Sequence, residues 1–164
     1  MRPGSPGSGA GWAAAAVGGT FAAVSLFWAL GGTALLGTVG GALEAQGRAG
    51  DAGIVTLVWV TVLLKAVASV LPAIAIVSPA GFRRRWLRRG AWAAGIVLTG
   101  YGAVLTAGGL LVLGGVIPAS ADADLRAIRW HALFWDPWFL IWGLFVLAAM
   151  VRSRRAGSAG DLAS

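Results

Sequence analysis

The chain has 164 residues, 58% hydrophobic and 12% charged, with a formal net charge of +7, one histidine and no cysteine. That charged share is about half the ~25% of a soluble domain, so an ordinary soluble fold, which could not hide so much apolar surface, is excluded. Without thiols, disulfides, thiolate nucleophiles, cysteine-held zinc, iron–sulfur clusters and dithiol relays are excluded, and a single His131 excludes a bis-histidine haem within one chain.

Residues 1–10 are rich in Gly, Pro and Ser and read as a disordered segment. Four apolar runs follow, at about 11–36, 53–78, 91–117 and 131–151. Each suits the ~20 apolar residues that cross a bilayer as a helix. The first is longer than the roughly 7–15 residues of a signal-peptide core and no A-x-A site follows it, so it reads as a retained span. The fold class is therefore all-α, an integral membrane bundle of four transmembrane helices over residues 11–152. Residues 153–164 read as a disordered cytoplasmic tail.

Charge lies between the runs. Loop one carries Glu44, Arg48 and Asp51, and loop three carries Asp122, Asp124, Arg126 and Arg129. The second loop holds Arg83, Arg84, Arg85, Arg88 and Arg89, and the tail Arg152, Arg154 and Arg155. Cytoplasmic loops carry such an excess, so both termini and loop two are expected in the cytoplasm. The five loop-two arginines suit anionic lipid headgroups. A bilayer accounts for the basic charge, so nucleic acid is not an expected partner.

Lipid offers no hydrophobic drive to helix association, so the helices should meet on small residues. Ala14, Gly18, Ala22, Ser25, Ala29 and Gly32 form one such stripe, and Gly95, Thr99, Gly102, Thr106 and Gly109 another. They predict a close, left-handed antiparallel bundle; the alternative for either stripe is a dimer interface. Trp12, Trp86, Trp92 and Trp130 sit near run ends, where amphipathic rings anchor.

Two charges fall inside the runs. Lys65 lies near mid-membrane, where a lysine costs about 2.5–3.5 kcal/mol and is normally buried and paired. Its expected partner is Asp136, with Glu44 second. Asp136 precedes Pro137 and also reads as an N-cap, with the helix proper running Pro137–Val151 and the preceding residues lying near the interface. His131, Trp135, Trp138 and Trp142 fall on one helical face. That face reads either as a lipid-facing or packing stripe or as an aromatic slot for a quinone, a polyprenyl chain or a cation. The paired Gly31 and Gly32 after Trp28 allow a close approach or local unwinding. Lys65, Asp136, Trp28, Gly31, Gly32, His131, Trp135 and Trp138 thus form the candidate polar site, in the outer half of the bundle.

The strings FWALGGTALLGTVGG and RWHALFWDPWFLIWGLFVLAAM resemble the first and last helices of domain-of-unknown-function family 3995, small four-helix membrane proteins of bacteria. A lysine in the second helix fits that resemblance. It implies four helices in a bacterial plasma membrane and brings no established activity.

The plainest function is a structural or accessory membrane protein, with a membrane-protein partner, a second copy of itself or lipid as its contact. One alternative is a small ion-coupled transporter using Lys65 and Asp136, since intramembrane charge points to function. Another is a membrane enzyme or binder of a lipid or quinone in an outer-half aromatic pocket. No nucleophile–base pair, metal cluster or phosphate loop supports catalysis, and no cofactor or metal is expected.

Overall fold

The computed structural model describes residues 8–79 and 81–161. Every regular element among them is helical. Helix α1 spans Ser8–Ala29, α2 Gly41–Arg48, α3 Ala52–Val77, α4 Phe82–Leu113, α5 Leu125–Trp130 and α6 Asp136–Asp161. A short 3₁₀ turn at Leu36–Thr38 precedes α2, and a π-helical stretch at His131–Trp135 joins α5 to α6. Four segments are long and apolar enough to cross a membrane: Gly9–Ala29, Ala52–Val77, Phe82–Leu113 and Leu125–Arg154. This is the architecture of a multi-pass membrane protein.

The elements end where local chemistry says they should. Helix α1 stops in a Schellman motif, in which Gly32 N–H reaches Phe27 O (2.9 Å) and Gly31 N–H reaches Trp28 O (3.0 Å). Gly31 takes φ +90°, a conformation that costs glycine nothing. The paired glycines therefore cap a helix rather than unwind one. Asp51 caps α3 by accepting from Ile54 N–H, and Asp124 caps α5 by accepting from Arg126 and Ala127 N–H.

Three expectations need correction. The arginine-rich stretch is not a loop: α4 begins at Phe82, so Arg83 to Arg89 form its first two turns. Arg, Leu, Trp and Ala favour or tolerate helix, so the charges do not mark where the helix begins. The tail is helical as far as Asp161, and the N-terminal segment from Ser8. The disorder expected of residues 1–7 and 162–164 lies outside the described residues. Asp136 is not an N-cap, because the fourth segment runs helically from Leu125 and Asp124 caps it.

The four long helices run antiparallel to their neighbours in a ring ordered α1, α3, α4, α6. Both small-residue stripes serve contacts within the chain. A Cβ on Gly102 would collide with Leu140 N and lie 2.8 Å from Asp136 O; one on Gly109 would lie 2.7 Å from Ala132 Cβ; Gly95 seats Leu147 and Val146. On α1, Gly18 seats the Trp142 indole, and Ala14 and Ser25 are buried. The core holds Phe21, Trp135, Trp142 and Val146 at its centre, with Ala10, Ala75, Ala91 and Met150 toward the arginine end. Leu63, Leu64, Val67, Ile96, Val97 and Val104 project outward, uncovered, from α3 and α4. An apolar exterior over a close-packed interior is stable only in lipid.

Candidate functional site

Lys65 stands midway along α3, with 13 residues back to Ala52 and 12 on to Val77. At 1.5 Å per residue it lies roughly 18–20 Å from either end. Its ammonium donates to Ser25 Oγ at 2.8 Å and rests over the Phe21 ring, 3.8 Å from the centroid. The Phe139 ring lies further off, at 5.5 Å. A desolvated ammonium facing aromatic rings gains cation–π attraction, which partly replaces water. No carboxylate within 4.0 Å pairs with it among the described residues.

The two expected partners are engaged elsewhere. Glu44 pairs with Arg48 one turn along α2, at 3.0 Å. Asp136 Oδ1 lies 3.2 Å from His131 Nδ1, with the aspartate side chain only 5% exposed. The π-helical stretch explains that pairing. In an α-helix, residues five apart point about 140° away from each other. The wider turn brings them onto one face, and Asp136 N–H also donates to His131 O. Pro137 supplies a reason for the turn, because it has no N–H and its ring crowds the carbonyl four residues back.

The aromatic face of the fourth segment turns inward. Trp135 Nε1 donates to Thr38 Oγ1 and Trp138 Nε1 to Val17 O, both at 3.0 Å. Phe21 stacks on Trp135 with centroids 5.6 Å apart and touches Phe139 at 4.6 Å. Trp28 meets Trp135 edge-on and donates to Ala34 O at 2.8 Å. Of the two readings of this face, packing describes the geometry. The rings pack the loop-one end of α1 against the fourth segment.

Lys65, the Trp28–Gly31–Gly32 group and the His131–Asp136 pair line different cavities, while Trp135 and Trp138 both contact the Phe21 ring that Lys65 rests on. Trp28, Gly31 and Gly32 line a small cavity of about 30 Å³ under α2, with Leu36 and Leu43. His131 and Asp136 line a groove of about 300 Å³ beside Leu105 and Gly109 of α4. Lys65 lines a separate groove of about 380 Å³ between α3 and α4. Its walls are Thr61, Leu64 and Ala68 on one side and Ala94, Val97 and Tyr101 on the other, with Phe139 and Trp142 as its floor. Leu64 and Val97 are each 66% exposed, so this groove opens sideways, where acyl chains would lie.

Sequence reasoning missed Ser25, Phe21, Phe139 and Tyr101 as parts of the lysine site. Ser25 stood in the α1 stripe, and its hydroxyl was the signal: a polar residue among small apolar ones usually finds a partner. The rings gave no signal, because aromatic residues in a membrane helix are ordinary.

The arginines gather at the other end. Arg88 donates to Ser153 Oγ at 3.0 Å, which brings the start of α4 beside the end of α6. The Arg89 guanidinium lies over Trp86, 5.0 Å from the centroid, and that of Arg154 over Trp92, at 5.9 Å. Arg83, Arg85 and Arg89 are exposed, while Arg84 and Arg88 are half-buried. Among the described residues no cluster of His, Asp and Glu has the makings of a metal site.

No curated protein and no solved structure matches the chain. A family model described as protein of unknown function (DUF3995) matches residues 18–146. The matched stretch holds Gly18, which seats Trp142, and also the lysine site and the His131–Asp136 pair. The chain belongs to this family of unknown function, DUF3995.

Proposed function

We propose that this protein is an accessory membrane protein of the bacterial plasma membrane, with both termini in the cytoplasm, that engages another membrane component sideways through the α3–α4 groove. One observation carries the reading: a mid-span lysine, with no carboxylate partner among the described residues and its ammonium turned to Ser25 of α1, lines a groove open toward lipid. Such a charge is expensive in lipid, and an intramembrane ionisable residue is a functional pointer. The orientation rests on the arginines, which gather at the end where α1 begins and α6 finishes. Anionic headgroups are the natural contact of Arg83, Arg84, Arg85, Arg88 and Arg89.

An ion-coupled transport role has less support. It needs a Lys65–Asp136 relay, and the two groups have different partners, Ser25 for Lys65 and His131 for Asp136.

The test is a photo-crosslinking residue placed at Val97 in the groove and, as control, at the exposed Leu144 of α6. The reading expects adducts at Val97 that disappear with Lys65→Met, and adducts at Leu144 that do not change. Adducts at Val97 unaltered by Lys65→Met would overturn it.

A further inference from the structure

We infer that the α3–α4 groove seats a transmembrane helix of a partner protein, one carrying an aspartate or glutamate at mid-membrane depth that pairs with Lys65. This names the occupant of the groove and rests on the lateral-binding reading above.

The first argument is charge. An ammonium has three donors. Ser25 Oγ takes one, and no other oxygen acceptor reaches Lys65 among the described residues. Phe21 and Phe139 offer ring faces, not acceptors. The groove lining is apolar apart from Thr61, Tyr101 and the lysine, whose ammonium lies on its inner side, bonded to Ser25 of α1 and 5.5 Å from the Phe139 ring of the floor; nothing in the walls neutralises the charge. A carboxylate brought into the groove would do so.

The second argument is depth. Headgroup phosphates and carboxylates float at the edges of a hydrocarbon core about 30 Å thick, roughly 15 Å from its centre. Lys65 lies at mid-helix. A free lipid would have to drag its charged head to that depth. A side chain fixed to a membrane-crossing helix already resides there.

The third argument is supply. Among the described residues, a second copy of this chain brings no free carboxylate to mid-span. Asp136 is held by His131 and Glu44 by Arg48. Asp51 and Asp124 cap helices, and Asp122 lies in the loop between α4 and α5. Asp161 closes α6 at the far end. The complementary group must come from another protein.

The shape agrees. The walls run from Thr61 to Ala68 on α3 and from Ala94 to Tyr101 on α4. Eight residues on each wall, seven steps of ~1.5 Å, span about 10 Å, two turns of a docking helix. The alanines on both walls permit a close approach, and polar contacts in lipid then supply the selectivity that apolar surface cannot.

The test uses the full-length protein in phosphatidylcholine vesicles, carrying a fluorescent donor, and synthetic Leu/Ala membrane-spanning peptides carrying an acceptor. The peptides differ only in their central residue: Glu, Gln or Leu. Energy transfer should show the Glu peptide associating at least tenfold more strongly than the Leu peptide, with Gln between. Lys65→Met should reduce the Glu peptide to the level of the Leu peptide. Lys65→Glu should restore association with a Lys-centred peptide, which a misfolded variant could not do. Equal association of the Glu and Leu peptides, or undiminished Glu binding by Lys65→Met, would overturn the inference. Spin-labelled stearate provides the separating arm. Lys65-dependent stearate binding without Glu-peptide binding overturns the partner helix while leaving lateral binding intact. Binding of neither probe defeats both.

Discussion

Adding one methyl group at Gly102 should weaken the bundle, while adding the same group two residues earlier should strengthen it. A Cβ at Gly102 would run into Leu140 N and stand 2.8 Å from both Asp136 O and Leu140 Cα. These are backbone atoms of α6, so no side-chain rotation relieves them, and the two helices must part. A gap of 0.5–1 Å forfeits about a quarter to a half of each atom pair's ~0.1–0.2 kcal/mol. Over some tens of pairs along the Gly95, Gly102 and Gly109 line, that loss is about 1 kcal/mol. Residual overpacking strain adds about 1–3 kcal/mol. At Gly100 nothing lies within 4 Å of the same Cβ, so Gly100→Ala keeps only the helix-propensity gain, about 0.5–1 kcal/mol. The two variants should therefore differ by about 3 kcal/mol in opposite senses. Equilibrium unfolding of the purified protein in mixed micelles, followed by far-UV circular dichroism, measures both. If the two variants shift the midpoint by equal amounts in the same direction, the close approach of α4 to α6 is not what holds this interface.

Other positions separate stability from function. Lys65→Met should leave the bundle as stable as before or up to about 2 kcal/mol more stable in the same titration, since a well-packed apolar residue often replaces a buried charge without cost; a loss above ~2 kcal/mol would make the lysine a structural residue. Trp135→Phe removes the donor to Thr38 Oγ1 but keeps a ring against Phe21, and should cost about 1–2 kcal/mol. Hydrogen exchange should then rise in the Leu36–Arg48 region, and unchanged protection there would contradict the role given to that bond. Gly31→Ala forces a side chain into φ +90° and should cost about 1–3 kcal/mol by the same unfolding assay. Replacing Arg83, Arg84, Arg85, Arg88 and Arg89 with Gln should give a mixed or inverted topology, read by compartment-specific reporters fused at the C-terminus; a fully retained orientation would show that these arginines do not set it.

Membrane residence and the number of spans were legible in the sequence because both depend on quantities that need no neighbours. Twenty apolar residues must cover their backbone polar groups internally in lipid, whatever surrounds them, so the runs read as helices on their own. The stripe from Gly95 to Gly109 was legible for a related reason. Helix–helix contact in lipid requires small residues, and helical periodicity shows which share a face. Helix ends were less legible. Phe82–Gly90 reads as a loop if charge marks its bounds, yet a helix extends into water as readily as its propensities allow.

The polar site belongs to the tertiary structure. Lys65 and Asp136 are opposite charges on helices that face each other diagonally across the ring, and sequence alone made them partners. Two events decided otherwise, and neither is local. The Phe21 ring of α1 stacks on Trp135 of the fourth segment, and Lys65 is turned to Phe21 and Ser25 of α1. The π-helical stretch then rotated Asp136 onto His131, a pairing that α-helical spacing forbids. Charge and hydropathy along one chain determine depth in the membrane. Which charge meets which depends on how helices rotate about their own axes, and only the packed bundle sets that rotation.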